Sequence, residues 1–330
     1  MKDRYTSVCD SILNAVGYTP LIRLNKVTEG IRKDIEIYAK VEFLNPMGSV
    51  KDRVAKYMIE KAEKEGRITN GQLIIENSSG NTALGLAMVA VQKGYKLKVI
   101  VRDSLSKEKM DQLKALGVDI HQVDSTLPPE SPDSYNNITP RMAKDLPGCY
   151  FPDQHNNREN NETHYMTTGP EIWEQMDGKI DYFVSGLGTG GTISGTSRYL
   201  KEQNPQIRVI GVDPVGSIFH DYFHTRKIVP SSHYYIEGLG DEFLINCVEF
   251  DRIDDMYQVS DRESFHHARK LVKEEGILGG GSSGAALWGV LKLARSLDHP
   301  ARIVTVFPDS ASRYLSTIFN DQWMESKGLL

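Results

Sequence analysis

Residues 182–195, YFVSGLGTGGTISG, combine a β-rich run, a glycine-rich turn and the beginning of a helical pattern. A strand, turn and helix in this order point backbone N–H groups outward at the positive end of the helix, where an anion binds. Gly186, Gly188 and Gly191 match the pattern G-x-G-x-x-G, and Asp213 follows 22 residues after the last of them. This spacing resembles a dinucleotide fingerprint, so an NAD-dependent oxidoreductase is one candidate function.

The hydroxyl groups of the same turn favour a smaller ligand. Thr189 and Thr192 lie beside Gly190 and Gly191, and their hydroxyl donors suit a compact tetrahedral group. The turn also lies in the middle of the chain, after a full series of strands and helices. Both details favour a single phosphate over a pyrophosphate. The alternative is a glycine-rich turn that binds no ligand.

Outward from this turn, short β-rich runs alternate with helical patterns from residue 73 onward. The predicted strands are residues 73–78, 97–102, 118–124, 149–153, 182–186, 208–213 and 302–307. Before them, PLIRLN and IEIYAKVEFL indicate a hairpin. Continuous Val/Ile-rich strands separated by helices are typical of parallel sheets covered on both faces. The sequence therefore predicts an α/β fold with two three-layer α/β/α domains, a boundary near residue 150 and a cleft between the domains.

The bulk composition excludes several classes of function. The chain has 330 residues and a formal net charge of −5, which argues against a nucleic-acid footprint or a basic membrane-binding patch. Its first residues, MKDRYTSVCD, have no apolar core of a secretory signal. The three cysteines show no CxxC pairing and the histidines form no HExxH helix, so we expect a reducing cytoplasm and no metal site.

Two further strand–loop–helix junctions carry polar side chains. The first, ENSSGNTALGLA at 76–87, gathers donors that suit a carboxylate, namely Ser78, Ser79, Asn81 and Thr82. The second, GILGGGSSGAALWGVL at 276–291, lets the backbone pass close to a flat ligand and offers a neutral hydroxyl from Ser282 or Ser283. Ordinary helix capping explains either junction equally well when it is taken alone.

A lysine lies where a helix disfavours one. In MGSVKDRVAKYMIEKAEKEG, residues 47–66, Ser49 is the predicted N-cap and Asp52 its capping-box partner. Lys51 then falls in the first helical turn, where the positive helix end disfavours the ammonium form. A neutral amine attacks carbonyl groups. By position alone, Lys51 is better interpreted as an ordinary surface lysine. Together with the three strand–loop–helix junctions, however, it indicates that the chain binds pyridoxal phosphate (PLP) and an amino-acid substrate.

Specific motifs spread over nearly the whole chain resemble one family, the fold-type II PLP enzymes that include cysteine synthase and cystathionine β-synthase. The motifs run from residue 16 to the C-terminus and are GSVKDR, SSGNTALGLA, TTGPEIWE, GLGTGGTISG, GVDPVGS, EGLGDEF, GGGSSGAAL and FPDS. They are most similar to the catalytic core of cystathionine β-synthase. The resemblance implies a smaller, mobile domain at 46–150 that carries the carboxylate loop, and a larger domain formed by 1–45 and 151–330 that carries the phosphate loop, with the cofactor in the cleft between them.

The resemblance also implies roles for individual residues. Lys51 is expected to be the Schiff-base lysine, Asn81 to bind the hydroxyl of the cofactor ring, and Ser282 to face the pyridine nitrogen. The expected phosphate ligands are Gly188, Thr189, Gly190, Gly191 and Thr192. The expected substrate-carboxylate ligands are Ser78, Ser79, Thr82 and Gln154. Glu237 and Asp241 are candidates for shaping the leaving-group end of the site, with solvated loop charges as the alternative.

The implied reaction is β-replacement on L-serine or an activated serine by a thiol, with cystathionine synthesis from homocysteine as the leading candidate. Sulfide addition to O-acetylserine and a cysteine breakdown that releases sulfide are alternatives within the family. A non-catalytic sensor that keeps the fold is another alternative, although an intact Lys51 counts against it. The family further implies a homodimer, with no nucleic-acid or membrane partner.

Two positions depart from the family pattern. Asp241 stands where animal cystathionine β-synthases have a tyrosine, and His155 replaces another aromatic residue after Gln154. Both positions lie where the second substrate is expected to enter, so the thiol is left open. The sequence carries no haem-binding extension before the core and ends where regulatory domains begin in the animal enzymes, so we expect no haem and no control by S-adenosylmethionine.

Overall fold

The computed structural model describes residues 8–78, 80–103, 105, 107–128 and 131–330. The chain divides into two compact units. Unit 1 comprises Asn45–Glu159 with the described part of Met1–Gly17, and unit 2 comprises Tyr18–Leu44 and Asn160–Leu330. Each unit has its own sheet, which confirms the predicted α/β class with mostly parallel strands.

The elements alternate along the chain as the sequence predicts. The strands are β1 (Leu21–Arg23), β2 (Ile35–Val41), β3 (Leu73–Asn77), β4 (Lys96–Arg102), β5 (Asp119–Val123), β6 (Tyr182–Gly186), β7 (Arg208–Pro214), β8 (Asp255–Val259) and β9 (Ala301–Phe307). The α-helices are α1 (Lys51–Lys64), α2 (Asn81–Lys93), α3 (Lys107–Ala115), α4 (Tyr135–Asp145), α5 (Glu159–Met166), α6 (Thr168–Gln175), α7 (Gly191–Gln203), α8 (Phe219–Thr225), α9 (Asp261–Glu275), α10 (Gly281–Ser296) and α11 (Asp321–Ser326).

Unit 1 is built on a parallel sheet in the order β3-β4-β5. Its core is formed by aliphatic side chains of α1, α2 and the sheet, since these elements present continuous apolar faces to one another. The strand predicted at 149–153 is wrong, because only Tyr150 pairs there, as an isolated bridge to Ile74. Pro152 follows, and a proline has no N–H with which to continue a ladder.

Unit 2 has a sheet in the order β1-β2-β9-β6-β7-β8. The first pair is antiparallel, which confirms the predicted hairpin partners, and the remaining pairs are parallel. Apolar side chains pack on both faces of this sheet. The edge strand β8 was not predicted, because a short strand with a partly buried pattern gives a weak alternation signal.

The unit boundaries differ from the predicted domains at residues 8–17, at Asn45 and at residues 151–159. Leu13 packs into the core of unit 1, and the Gly17 N–H donates to Asn45 Oδ1 at 2.8 Å. The segment after Tyr150 also stays with unit 1, where Gln154 accepts a hydrogen bond from Thr82. These contacts depend on the tertiary fold, so the composition of the segments gave no sign of them.

Lys51 lies in the first turn of α1 as predicted, but the helix begins one residue later than expected and its N-terminus differs from the predicted capping box. The N-cap is Val50, and the Lys51 N–H donates to Ser49 Oγ over a long 3.3 Å. Asp52 Oδ2 accepts a 2.6 Å hydrogen bond from the Met47 N–H instead of serving Ser49. The Asp52 carboxylate therefore fixes the turn that leads into α1, because it binds a backbone N–H that precedes the helix.

Candidate active site

Lys51 lies at the first position of α1 and is half-buried in unit 1. Helix α2 packs directly against it, since a Cβ at Gly85 would lie 2.9 Å from the Lys51 carbonyl oxygen. A glycine at this position therefore brings the two helices into close backbone contact. The start of α1 is consequently held by packing, and not only by its own hydrogen bonds.

His155 is close enough to Lys51 for the lysine charge to shift the pKa of its imidazole. Burial, and then the positive charge of Lys51, lower the pKa of His155 to about 4, although Asp153 opposes the shift. The imidazole is therefore neutral at physiological pH. A neutral ring beside the amine can donate one hydrogen bond and accept another without adding charge to the site.

The loop between β3 and α2, which contains the predicted carboxylate ligands, is ordered by its own hydroxyl groups. Ser78 Oγ accepts hydrogen bonds of 3.3 Å from the N–H groups of Gly80 and Ala83, so this side chain caps α2. Thr82 Oγ1 donates to Gln154 Oε1 at 2.5 Å. The structure thus brings Thr82 and Gln154 together beside the first residue of α2, Asn81. Ser79, the remaining predicted ligand, lies outside the described residues.

Glu76 is a buried acid that the sequence analysis did not single out. It lies in β3 with no exposed surface, and its Oε1 accepts a 3.2 Å hydrogen bond from the Asn77 N–H. Backbone N–H groups of Asp153 and Gln154 also hydrogen-bond its carboxylate form. Burial, and then the charge of Asp153, raises the pKa of Glu76 to about 8. A glutamate inside the apolar run LIIEN was the available signal.

The shifted Glu76 predicts a pH-dependent stability. Its folded pKa of about 8 lies above the ordinary 4.5, so its contribution is complete below pH 4.5 and is lost as the pH rises toward 8. Glu76→Gln removes this titration. As the pH rises through that window, we expect the free energy of unfolding of the variant to increase relative to that of the wild type by up to about 1.4 kcal/mol for each pH unit. Thermal unfolding at pH 5 and pH 8 measures the difference. The exposed Glu108→Gln serves as the control, and equal pH slopes for Glu76→Gln and wild type would contradict the assignment.

In unit 2 the glycine-rich turn forms an open anion cradle. Helix α7 begins at Gly191 after the left-handed Gly190 (φ 82°), and no side chain in the described part of the chain caps it. The N–H groups of its first turn have no acceptor within the helix and lie at its positive end. A Cβ at Gly188 would lie 2.1 Å from the Gly238 carbonyl oxygen. Glycine is therefore required for the turn to pass so close to its neighbour.

Helix α5 supports this cradle with polar side chains that the sequence analysis missed. Asn160 Nδ2 donates to Thr189 Oγ1 at 2.9 Å, and His164 Nε2 lies 3.2 Å from Thr192 Oγ1. Both α5 side chains are fully buried. The available signal was a helix whose polar residues recur at positions 160, 161 and 164, which places them on one face.

Ser282 is the second residue of α10, which begins at the third junction, and it is buried. The backbone before it runs against a buried pair, because a Cβ at Gly280 would lie 2.3 Å from Asp309 Oδ1 and 2.6 Å from the Tyr314 ring. The Tyr314 hydroxyl donates to Asp309 Oδ2 at 2.6 Å. Burial, Asp309 and then Glu237 raise the pKa of Tyr314 well above its usual value, so Tyr314 stays a neutral donor.

The two acidic candidates of the EGLGDEF segment differ in their surroundings. Glu237 is exposed, and its charge reaches Tyr314. Asp241 Oδ1 accepts a hydrogen bond of 2.7 Å from the Glu242 N–H, and the Asp241 N–H donates to Ser217 Oγ at 3.2 Å. The Asp241 carboxylate is therefore engaged in its own turn, whereas the Glu237 side chain lies at the surface of unit 2.

Asp213 does not have the environment of a ribose ligand. It is fully buried, and its Oδ2 accepts a 2.9 Å hydrogen bond from the His220 N–H at the start of α8. Strand β7 continues through Pro214 and carries Asp213 into the interior. The spacing from Gly191 fits a dinucleotide fingerprint, but the side chain instead holds the local backbone.

Comparison with known proteins decides the family. The pyridoxal-phosphate dependent enzyme family matches residues 12–309. The chain belongs to this family. Membership leaves the NAD-dependent oxidoreductase without support and confirms PLP as the cofactor of the family to which the chain belongs.

Curated relatives within the family carry two names. The chain is 43% identical over 326 residues to "Cystathionine beta-synthase" of Apis mellifera, covering 99% of this chain and 64% of that protein. It is 37% identical over 328 residues to "Cysteine synthase 1" of Neurospora crassa, covering 98% of this chain and 86% of that protein. The chain thus spans less than two thirds of the first of these relatives.

A solved structure of the family shares the fold. It is described as an O-acetylserine dependent cystathionine beta-synthase from Helicobacter pylori, and it matches with a TM-score of 0.87 and 38% identity. The match covers 94% of this chain and 99% of that one. This similarity confirms the fold-type II architecture predicted from the motifs.

The residues present fit the family's cofactor. The turn at Gly188–Thr192 requires glycines because added Cβ atoms would collide with the neighbours on which it packs, and the uncapped end of the helix that follows suits a phosphate. Within the described residues, no group of three or more His, Cys, Asp or Glu side chains is arranged to hold a metal ion. No helix in that same part of the chain is long and apolar enough to cross a membrane.

Proposed function

We propose that this chain catalyses β-replacement on L-serine or an activated serine by a thiol, with homocysteine as the thiol and cystathionine as the product. The observation that carries the proposal is the arrangement in unit 1, where Lys51 begins α1 and the Thr82–Gln154 pair lies at the start of α2, the helix packed on Lys51. The packing of these two helix starts supports a site that combines an amine with hydroxyl and amide groups for a carboxylate. An α-amino acid needs both for recognition and for reaction at Cα.

We assign the binding roles as follows. Lys51 holds the cofactor covalently, Asn81 binds its ring hydroxyl, and Ser282 hydrogen-bonds its ring nitrogen. The turn Gly188–Thr192 binds its phosphate through backbone N–H and threonine hydroxyl groups. The hydroxyl and amide groups of Ser78, Ser79, Thr82 and Gln154 bind the substrate carboxylate. These groups are neutral, so they orient the carboxylate by hydrogen bonds without a buried counter-charge.

The reaction uses the protein's own groups for proton transfer. The bound cofactor supplies an electron sink for the negative charge that develops at the substrate Cα. The Lys51 amine would accept the Cα proton as general base and return it to Cα after the thiol has added at Cβ, while the β-substituent would leave with the thiol proton as water or acetic acid. Ser282 would offer the ring a neutral hydrogen bond instead of an ion pair, which would weaken the electron sink and favour loss of the β-substituent over longer-lived charge at Cα.

The leaving group distinguishes the two candidate functions, which use serine or O-acetylserine as the donor. Hydroxide from serine leaves poorly and needs an acid nearby, whereas acetate from O-acetylserine needs little help. Glu237 is our candidate for this acid, because it is an exposed acidic side chain of the segment and its charge reaches Tyr314. Because the Helicobacter pylori protein is described as O-acetylserine dependent, the activated donor, and with it cysteine synthesis from sulfide, is the second candidate.

A product assay tests the proposal. The holoenzyme is incubated with serine or O-acetylserine, each paired with homocysteine or sulfide, and the products are identified by mass. We expect cystathionine from at least one homocysteine pairing, at a rate above that of the sulfide pairing. Cysteine as the preferred product with sulfide would favour the second candidate, and no product from any pairing would overturn both.

We also propose that the enzyme is a cytoplasmic homodimer. The family resemblance supports the dimer, and light scattering of the purified protein measures it. The cysteines support a reducing compartment, since Cys9, Cys149 and Cys247 are all free thiols in the structure.

A further inference from the structure

Three side chains of unit 2 form a hydrogen-bonded chain that ends in the anion cradle. His164 of α5 is fully buried, and its Nδ1 lies 2.9 Å from Oγ1 of Thr168, the first residue of α6. Its Nε2 lies 3.2 Å from Thr192 Oγ1 in the first turn of α7. Packing fixes the helix around it, because a Cβ at Gly195 would lie 2.9 Å from the His164 Cβ.

A neutral imidazole can complete this chain in two directions. In one, the Thr192 hydroxyl donates to Nε2 and Nδ1–H donates to Thr168. Thr192 then presents only lone pairs to a bound anion, which repel it. In the other, the Thr168 hydroxyl donates to Nδ1 and Nε2–H donates to Thr192 Oγ1. The Thr192 hydroxyl hydrogen is then free to point into the cradle.

We propose that His164 is a positioning residue that holds the Thr192 hydroxyl as a donor to the bound phosphate, with the Thr168 hydroxyl fixing the Nε2–H tautomer. The proposal rests on the assignment of Gly188–Thr192 as the phosphate site. Phosphate binding favours this direction of the chain, because an anion accepts hydrogen bonds and donates none when it is fully ionised. The three helices α5, α6 and α7 thereby contribute to the orientation of one hydroxyl group.

A pair of threonine variants tests the proposal. Thr168→Val keeps the shape of the side chain and removes the hydroxyl that fixes the tautomer. Thr196→Val is the matched control, since Thr196 is also fully buried, lies one turn after Thr192 on α7, and its hydroxyl makes no hydrogen bond within the described part of the chain. Both variants are stripped of cofactor and titrated at equilibrium with PLP and with pyridoxal, which lacks the phosphate.

We expect Thr168→Val to weaken the binding of PLP about five- to tenfold, as the loss of one neutral hydrogen bond would. The binding of pyridoxal should be unchanged, and Thr196→Val should alter neither. A loss of affinity by Thr168→Val that is equal for the two ligands, or absent for both, would overturn the role of His164. If the wild type itself binds PLP no better than pyridoxal, the phosphate site is misassigned, which is a separate failure of the proposed function.

The tautomer can also be read directly. In ¹⁵N–¹H correlation spectra of histidine-labelled holoenzyme, with His164 assigned by its absence in His164→Gln, we expect a protonated Nε2. A bare Nε2 in the holoenzyme would overturn the proposed direction of the chain even if the affinities behaved as expected.

Discussion

Lys51→Ala is expected to remove the covalent bond between protein and cofactor and to lower turnover by about a thousandfold or more, because one amine serves both as attachment point and as general base. Borohydride reduction followed by peptide mass analysis measures the first effect. The wild type should yield the cofactor on the peptide that contains Lys51. The variant should yield unmodified peptides, and product formation should fall to background.

The matched control for this variant is Lys56→Ala. Lys56 lies on the same helix and pairs loosely with Glu60 at 3.7 Å, so its removal should cost no more than a few tenths of a kcal/mol. A cofactor adduct and normal turnover in Lys51→Ala would refute the assignment of the reactive amine. Loss of both in Lys56→Ala would show that the helix, and not one side chain, is responsible.

Gly188→Ala is the second change for which we expect a large effect. The new Cβ would lie 2.1 Å from the Gly238 carbonyl oxygen, and a backbone atom cannot move aside as a flexible side chain can. The turn must therefore shift, and its N–H groups no longer point at the phosphate. We expect PLP binding to weaken by about a hundredfold, as the loss of two charge-assisted hydrogen bonds would imply.

Equilibrium titration of the apoprotein with PLP measures this loss, and thermal unfolding checks the fold. Gly30→Ala is the control, because Gly30 has φ of 87° and no described atom within 4 Å of an added Cβ. That change should cost only about 1–2 kcal/mol of backbone strain and leave cofactor affinity intact. Unaltered PLP affinity in Gly188→Ala would show that the phosphate binds elsewhere.

Much of the fold could be predicted because its signals are local. Alternating apolar runs and helical periods gave the parallel sheets, and the glycine-rich turn gave the start of α7. The position of Lys51 in the first turn of α1 followed from the same kind of pattern. Each of these features depends on residues that are neighbours in the sequence.

The supporting residues of the site could not be predicted in the same way. His164 contacts Thr192 only because α5 packs against α7, and Glu76 contacts the backbone of Gln154, which lies 78 residues further along the chain. Nothing in the spacing of such residues distinguishes a buried partner from a solvated one. The same reason explains Asp213, whose spacing fits a ribose ligand while the fold buries it.

The pairing of β2 with β9 has a consequence for how the protein is made. Ile37 lies opposite Ile303, so an early strand must await a partner that the ribosome delivers 266 residues later. At ordinary translation speeds of roughly 5–20 residues per second, that interval is on the order of 10–50 s. During it, the emerging strand β2 exposes an unsatisfied edge, and the cell must shield that edge or tolerate its transient association with other nascent chains.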